Sequence, residues 1–281
     1  MRACVRSRLC QLTLVLAFTA ACATGKSFTD PAGPRYDGSF APAGGGAPCG
    51  GQDRSFTVVT FNVEHVREVG GAIALLKAHD RSRAADALLL QEMDTAGVAR
   101  VAELLALHYV FFPSGIHPQS GREFGTAVLS RWPLEEARKL VLPYGAYLFF
   151  ARRAVTVATV VCGGFRIRLY SAHLSSPPAL MDDMRQEQVR LIAEDAAGAG
   201  PAIVGGDFNS SRVTKAFERA GFSIPTRDLP GTSRGLGRWF KFDHVFVRGL
   251  AAAPGAAAGV IEPGGVSDHR AVWVRLLLPP S

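Results

Sequence analysis

Eight polar residues of this chain stand where apolar runs begin or end. Asn62 closes "TVVTFN", Glu92 closes "LLLQE", His173 closes "LYSAH", and Asp207 and Asn209 close "AIVGGDFN". Asp243 lies inside "FKFDHVFV", and Asp268 and His269 precede the final run, "RAVWVRLLL". Carboxylates and carboxamides are hard oxygen ligands. Mg²⁺ takes one or two such carboxylates and keeps several waters, a requirement that Glu92 meets. A carboxylate beside an imidazole provides acid–base chemistry and a donor for an anionic oxygen. Together these groups suit hydrolysis of an anionic ester, in which charge is neutralised and water activated. Each also has a plainer reading: Asp207 and Asn209 as turn formers, Glu92 as a solvated strand end, Asp243 with His269 as a structural pair.

The elements that must carry these residues are short strands alternating with helical patterns. "SFTVVTFNV", "DALLLQE", "FGTAVLS", "ARRAVTVATVV", "FRIRLYSAHLS", "PAIVGGDFN", "FKFDHVFVRG" and "HRAVWVRLLL" read as strands. Residues 69–77 and 96–107 read as amphipathic helices, and "ALMDDMRQEQVRLIAEDAAG" as a helix closed by Gly198. Gly163-Gly164 signals a hairpin. Strand periodicity would put Asp207 and Asn209 on one face. Many strands with a few helices suggest two packed sheets with helices outside, and strand ends that converge on one rim.

Taken in order, "TFNVE", "LLLQE", "GTAVLSRWP", "SAHLSS", "GGDFNSS", "FDHVFV" and "SDHRAV" resemble the endonuclease/exonuclease/phosphatase superfamily over about residues 55–278. That group includes pancreatic-type deoxyribonuclease, abasic-site endonucleases, neutral sphingomyelinases and inositol-polyphosphate 5-phosphatases. The resemblance implies an α/β fold, a four-layer αββα sandwich of two mixed sheets with outer helices. It also implies Mg²⁺-dependent phosphoester hydrolysis, with Mn²⁺ as the alternative ion. By the same resemblance Glu92 is the principal metal ligand, with Asn62 and Asp268 nearby. Asp207 orients and deprotonates the attacking water, and Asn209 donates to a phosphoryl oxygen. His269 contacts the phosphate, Asp243 orients His269, and His173 adds a phosphate contact or assists the leaving group. Arg185 and Gln188 resemble the family's "RxxQ" element and read as structural. His244 reads as a packing residue, and His65, His79, His108 and His117, which lack a motif, as surface or loop residues. Arg122 is either a phosphate contact or a solvated loop arginine.

Upstream, Arg2, Arg6 and Arg8 precede an apolar run from Leu12 to Ala21, the layout of a signal peptide too short for a bilayer span of ~20 residues. "FTAAC" is similar to a bacterial lipobox ending at Cys22, with Thr19 in place of the usual Leu. The expected organisation is a signal peptide with lipobox at 1–22, a Gly/Pro/Ala-rich tether at 23–54 with a reach of roughly 30 Å, and a catalytic domain at 55–279. Loss of residues 1–21 removes three arginines and no acid, so the net charge falls from +7 to +4. That balance suits an anionic substrate without diagnosing nucleic acid. Beyond Cys22 only Cys49 and Cys162 remain; an oxidising compartment would let them pair if their geometry allows.

The expected protein is an exported, monomeric phosphodiesterase, secreted or held to the cell envelope by an acylated Cys22. DNA or RNA is the first substrate. A sphingomyelinase-like phospholipid phosphodiesterase or an inositol-phosphate phosphatase is the alternative, with "YGAYLFF" (144–150) as the candidate apolar segment for lipid contact. A lipoprotein that keeps the fold only as a binding module comes last, because no catalytic position is replaced.

Overall fold

A computed structural model describes residues 26–42, 49–50, 53–65, 68–117, 120–145, 151–176 and 180–279. Cys22, the signal-like run and most of the 144–150 segment lie outside these residues. In chain order the elements are β1 (Tyr36–Ser39), β2 (Ser55–Asn62), α1 (Val69–Ala78), α2 (Asp80–Arg83), β3 (Ala87–Met93), α3 (Thr95–Leu105), β4 (His108–Ile116), β5 (Glu123–Ser130), β6 (Leu134–Gly145) and β7 (Arg152–Cys162). They continue with β8 (Phe165–His173), α4 (Asp182–Ala197), β9 (Ala202–Asp207), α5 (Thr214–Arg219), β10 (Ser233–Gly235), β11 (Arg238–Phe240), β12 (Asp243–Arg248), β13 (Ala251–Ala252), β14 (Ala258–Ile261) and β15 (Ala271–Leu277).

The strands form two mixed sheets and a small two-stranded ribbon, β10-β11. One sheet runs β1-β4-β5-β3-β2-β15-β13, with β14 also on β15, and the other runs β12-β9-β8-β7-β6. Strands buried on both faces read as near-continuous apolar runs, as "LLL" in β3 and "AIV" in β9 do. Phe56, Val58, Leu89 and Val274 of the first sheet meet Val160, Leu169, Ile203 and Val245 of the second in a shared core. Helices α1 and α3 cover the outer face of the first sheet, and α4 and α5 that of the second. The result is the expected four-layer sandwich.

Local chemistry sets the element ends. The Asp94 side chain accepts from the Gly97 N–H at 2.7 Å and caps α3. Asp182 and Asp183 sit in the first turn of α4, where the helix dipole favours negative charge. Gly163 and Gly164, both at positive φ, make the tight β7–β8 turn. Gly206 is required by close approach: a Cβ there would stand 1.9 Å from the Ala172 carbonyl oxygen on β8. Gly206 therefore lets β9 lie against its neighbour.

The tether expected at 23–54 is corrected over its described part. Strand β1 pairs antiparallel with β4, Tyr36 opposite Phe111, so this segment is an edge strand of the first sheet. Tyr36 also packs on the core that α1 and α3 cover. At 49–50 the chain is fixed again, by a disulfide between Cys49 and Cys162.

His244 takes the packing role expected of it. It is buried beside Phe208 and Phe246, at ring distances of 6.3 and 5.7 Å, with no hydrogen-bond partner on either ring nitrogen. Burial lowers its pKa to about 4, against a partial opposing pull from Asp243. Below pH ~6.5 the unfolded chain therefore takes up a proton that the folded chain refuses. Stability is expected to fall by about 3 kcal/mol between pH ~6.5 and pH ~4 and to level off below that. Urea titrations across this range should show the slope flattened in His244→Leu. Parallel curves for the two proteins would show that this imidazole does not titrate as described.

Candidate active site

Sheet register alone brings three of the expected residues into one row. His173 on β8 is the parallel partner of Asp207 on β9, and Asp207 is the antiparallel partner of Asp243 on β12. From the facing sheet, Asn62 ends β2 opposite Gln91 of β3. The register of β3 slips between Gln91 and Met93, leaving Glu92 unpaired at φ +60°. A bulge of this kind re-aims one side chain. Here the re-aimed group is the carboxylate. Gln91 stays buried and spans the sheets, donating to Thr60 Oγ1 and Ser171 Oγ at 3.1 Å each.

The side chains then close into one network. The Asn62 amide donates to Glu92 Oε1 at 3.1 Å and to Asp207 Oδ2 at 3.2 Å, tying the two sheets together at the rim. His269 Nδ1 lies 2.9 Å from Asp243 Oδ2, and its Nε2 lies 3.7 Å from Asp207 Oδ2 and 3.2 Å from Ser233 Oγ. Ser267 Oγ donates to the Asn62 carbonyl and accepts from the His269 N–H, fixing the final loop against β2. Glu92, His173, Asp207, Asn209, Asp268 and His269 all line a cavity of about 360 Å³. Asn62 and Asp243 support it from behind through these bonds. Asp268 sits at the rim with its carboxylate 49% exposed, 3.9 Å from His269 Nε2.

Charge in the cavity is uneven. Burial raises the Asp207 pKa to about 7; the neighbouring His269 opposes this, while Asp243 and Glu92 add to it. Burial alone would lower the pKa of His269, but Asp243 and Asp207 outweigh it and carry the value to about 10. His173 goes the other way, held well below the usual range by burial and by Arg153, His269 and His65. Arg153 NH1 lies 3.4 Å from His173 Nδ1. Since guanidinium only donates, neutral His173 carries its proton on Nε2, facing Asp207 and Glu92.

One sequence expectation needs correction. Strand β9 ends at Asp207, and Asn209 follows it at φ +50°, so strand alternation does not place it. An Asx turn does: Asn209 N–H donates to Asp207 Oδ1 at 2.8 Å. Its amide is also committed, to Leu174 O at 3.0 Å and Asp207 Oδ2 at 3.1 Å. Asn209 therefore holds Asp207 rather than presenting a free donor. His65 and His117 are the half-buried loop residues expected, and they stand beside the site. His65 approaches Glu92 Oε2 with its N–H at 2.9 Å and its Nε2 at 3.2 Å, and both rings pack with Phe124 in the cavity wall. Arg122 is an exposed loop arginine, and it pairs with Asp94 at 2.8 Å and donates to the His65 carbonyl at 3.1 Å.

Sequence reasoning missed Arg153. It stacks over Phe124 at 4.5 Å and faces the cavity beside His173. The only sequence signal was "ARR" at the head of an apolar run. Arg185 and Gln188 do prove structural: Arg185 donates to the carbonyls of Ser175 and Leu180 in the loop after β8, and Gln188 to that of Pro143.

The residues present fit a cation. Asp207 and Asp243 are buried side by side on β9 and β12, Glu92 lines the same cavity as Asp207, and Asp243 Oδ1 is buried with no hydrogen-bond partner. Ligand atoms of Asp207, Asp243 and His269 lie within 4.8 Å of one another, a group that could hold a metal ion. That set differs from the expected Asn62, Glu92 and Asp268. Within it, His269 Nδ1 and Asp243 Oδ2 are already joined to each other.

A sandwich of two mixed sheets with imidazoles and carboxylates gathered at one rim defines a class of hydrolytic domain. Residues 59–269 match the Endonuclease/Exonuclease/phosphatase family, and the chain belongs to it. Members of that family are metal-dependent hydrolases of phosphoesters. Among solved structures, the fold is similar to an endonuclease/exonuclease/phosphatase from Beutenbergia cavernae, at 21% identity and TM-score 0.64 over 80% of this chain and 72% of that one. It is similar to D. rerio TDP2 carrying 14 humanising mutations, at 18% identity and TM-score 0.63 over 80% of this chain and all of the other. A Bacteroides thetaiotaomicron mannosyl-6-phosphatase matches at 18% identity and TM-score 0.58, over 79% of this chain and all of the other. No curated protein matches the sequence.

Proposed function

We propose that this chain is an exported, Mg²⁺-dependent phosphodiesterase. The observation that carries the reading is the Asn62 amide bridging Glu92 and Asp207 beside the Asp243–His269 pair, all at one cavity. Glu92 would hold the ion, with Asn62 and Asp268 beside it. A bound Mg²⁺ would neutralise charge on the phosphoryl oxygens. Asp207, with a pKa near neutrality, is suited to take the proton of the attacking water. Asn209 and Asn62 fix its carboxylate in place. His269, cationic and oriented by Asp243, donates to a phosphoryl oxygen, and Arg153 adds a second positive donor on the His173 side. Neutral His173 contributes an Nε2–H contact.

Export is supported by the signal-like leader and by the Cys49–Cys162 bridge, since disulfides persist in oxidising compartments. Nucleic acid is the first substrate to test, given the resemblance to TDP2, one structure of which holds a single-strand DNA product. The deciding experiment assays the mature domain in parallel on single-stranded DNA, RNA, sphingomyelin, phosphatidylglycerol and inositol phosphates. Activity abolished by EDTA and restored by Mg²⁺ is expected. Turnover that survives exhaustive chelation would refute the metal-dependent reading.

A further inference from the structure

The described N-terminal segment is built into the wall of the catalytic cavity. The Lys26 carbonyl accepts from the Ile116 N–H at 2.8 Å, and the Phe28 N–H donates to the Ser114 carbonyl at 2.8 Å. Ser27 bridges Gly115, and its hydroxyl accepts from the Arg152 N–H at 3.0 Å. Ser114, Gly115, Ile116 and Arg152 all line the cavity. The contact is tight, because a Cβ on Gly115 would stand 2.2 Å from the Lys26 carbonyl oxygen. From the other side Lys139 pins the strap. Its ammonium is buried on β6 and donates to the carbonyls of Phe28, Asp30 and Gly33 at 3.1, 3.1 and 2.5 Å. A buried lysine committed to three main-chain oxygens has no part in hydrolysis. Its work is to hold residues 28–33 in place.

The consequence follows from chain length. Only three residues, 23–25, separate Cys22 from Lys26. Four Cα–Cα steps reach at most about 14 Å. We infer that, with Cys22 acylated, the strap acts as a short leash that holds the catalytic mouth against the membrane surface. A free tether to residue 54 would have reached roughly 30 Å and left the domain to tumble; the strap removes that freedom. Exposed Lys26 and Arg152 on the same rim suit a surface of anionic headgroups. The inference rests on the exported phosphodiesterase reading and adds to it the place of the site, at the bilayer surface.

The test uses the full, acylated chain in vesicles of phosphatidylcholine with a minority of phosphatidylglycerol and a trace of fluorescent acceptor lipid. Energy transfer is read from a donor dye on Ile116→Cys, in the native strap and with a Gly/Ser segment of about 20 residues inserted between Gly25 and Lys26, which adds roughly 25 Å of reach. Transfer should fall at least about two-fold on insertion. Lys139→Met should lower it as well, with faster hydrogen exchange at Phe28. Equal transfer with and without the insertion overturns the leash, and so does an N-terminal peptide whose mass carries no lipid. Loss of phosphatidylglycerol turnover on insertion, with hydrolysis of soluble bis-p-nitrophenyl phosphate retained, supports it. Failure of every form on the soluble diester would sink the phosphodiesterase reading itself, independently of the transfer result.

Discussion

Asp207→Asn is expected to lower kcat by about 10²–10⁴-fold, the range for removing a positioned general base. The carboxylate proposed to take the proton is gone, while the side chain that replaces it has almost the same shape. The variant should stay folded, for two effects of opposite sign. It removes one of the mutually repelling buried acids, which stabilises. It also turns Oδ2 into an amide facing the donors of Asn62 and Asn209, which destabilises. Asn62 is not free to flip in response, because its own Oδ1 accepts from the Glu64 N–H at 3.1 Å. Glu92→Gln should reduce activity comparably by a different route, the loss of charge at the ion. Thermal shift separates the two variants. Mg²⁺ should raise the melting temperature of the wild type and of Asp207→Asn but not of Glu92→Gln. A full Mg²⁺ shift in Glu92→Gln would move the ion to the Asp207, Asp243 and His269 group.

Much of this site was legible before any coordinates because strand ends announce themselves. Long apolar runs that stop at Asn62, Glu92, His173 and Asp207 mark the element type, and the parallel pairing of β2 with β3 and of β8 with β9 brings these ends to a common rim. What escaped had physical reasons. Strand β6, with "EEARK" in its first half, is an edge strand paired only to β7, and edges tolerate charge and Pro143. Strand β4 carries Pro113 at a register shift, which hides its period. The bulge at Glu92 and the Asx turn at Asn209 are single-residue departures from alternation, invisible in a pattern that assumes regular strands. His65 and Arg153 enter the site through tertiary placement, and nothing in their neighbours' types marks them. The strap was misread because Gly, Ala and Pro composition describes a chain with no partner. Here the partners are main-chain groups of β4 and one buried lysine.

Breaking the Cys49–Cys162 bridge is expected to cost about 4–5 kcal/mol, since it closes a loop with 113 positions between its ends. For a domain of this size that amounts to roughly 10–15 °C in Tm. Both a Cys49→Ala/Cys162→Ala double variant and the reduced wild type should show it in calorimetry. Activity at 25 °C should barely change. The bridge sits at the Phe165 end of β8 and His173, at the candidate site, at the other, about 26 Å away by strand rise. A loss of stability without a loss of kcat would mark the disulfide as a fastener of the segment at 49–50, remote from the chemistry. It would also mean that the chain is built for an oxidising compartment, because a reduced copy would forfeit a large share of a typical folding free energy. The contrary result has a structural explanation ready. The Ser55 N–H already donates to the Gly50 carbonyl at 2.9 Å, and the Leu278 N–H to that of Arg54, also at 2.9 Å. If these bonds alone hold the segment, Tm will not move on reduction, and the case for export will stand on the leader sequence only.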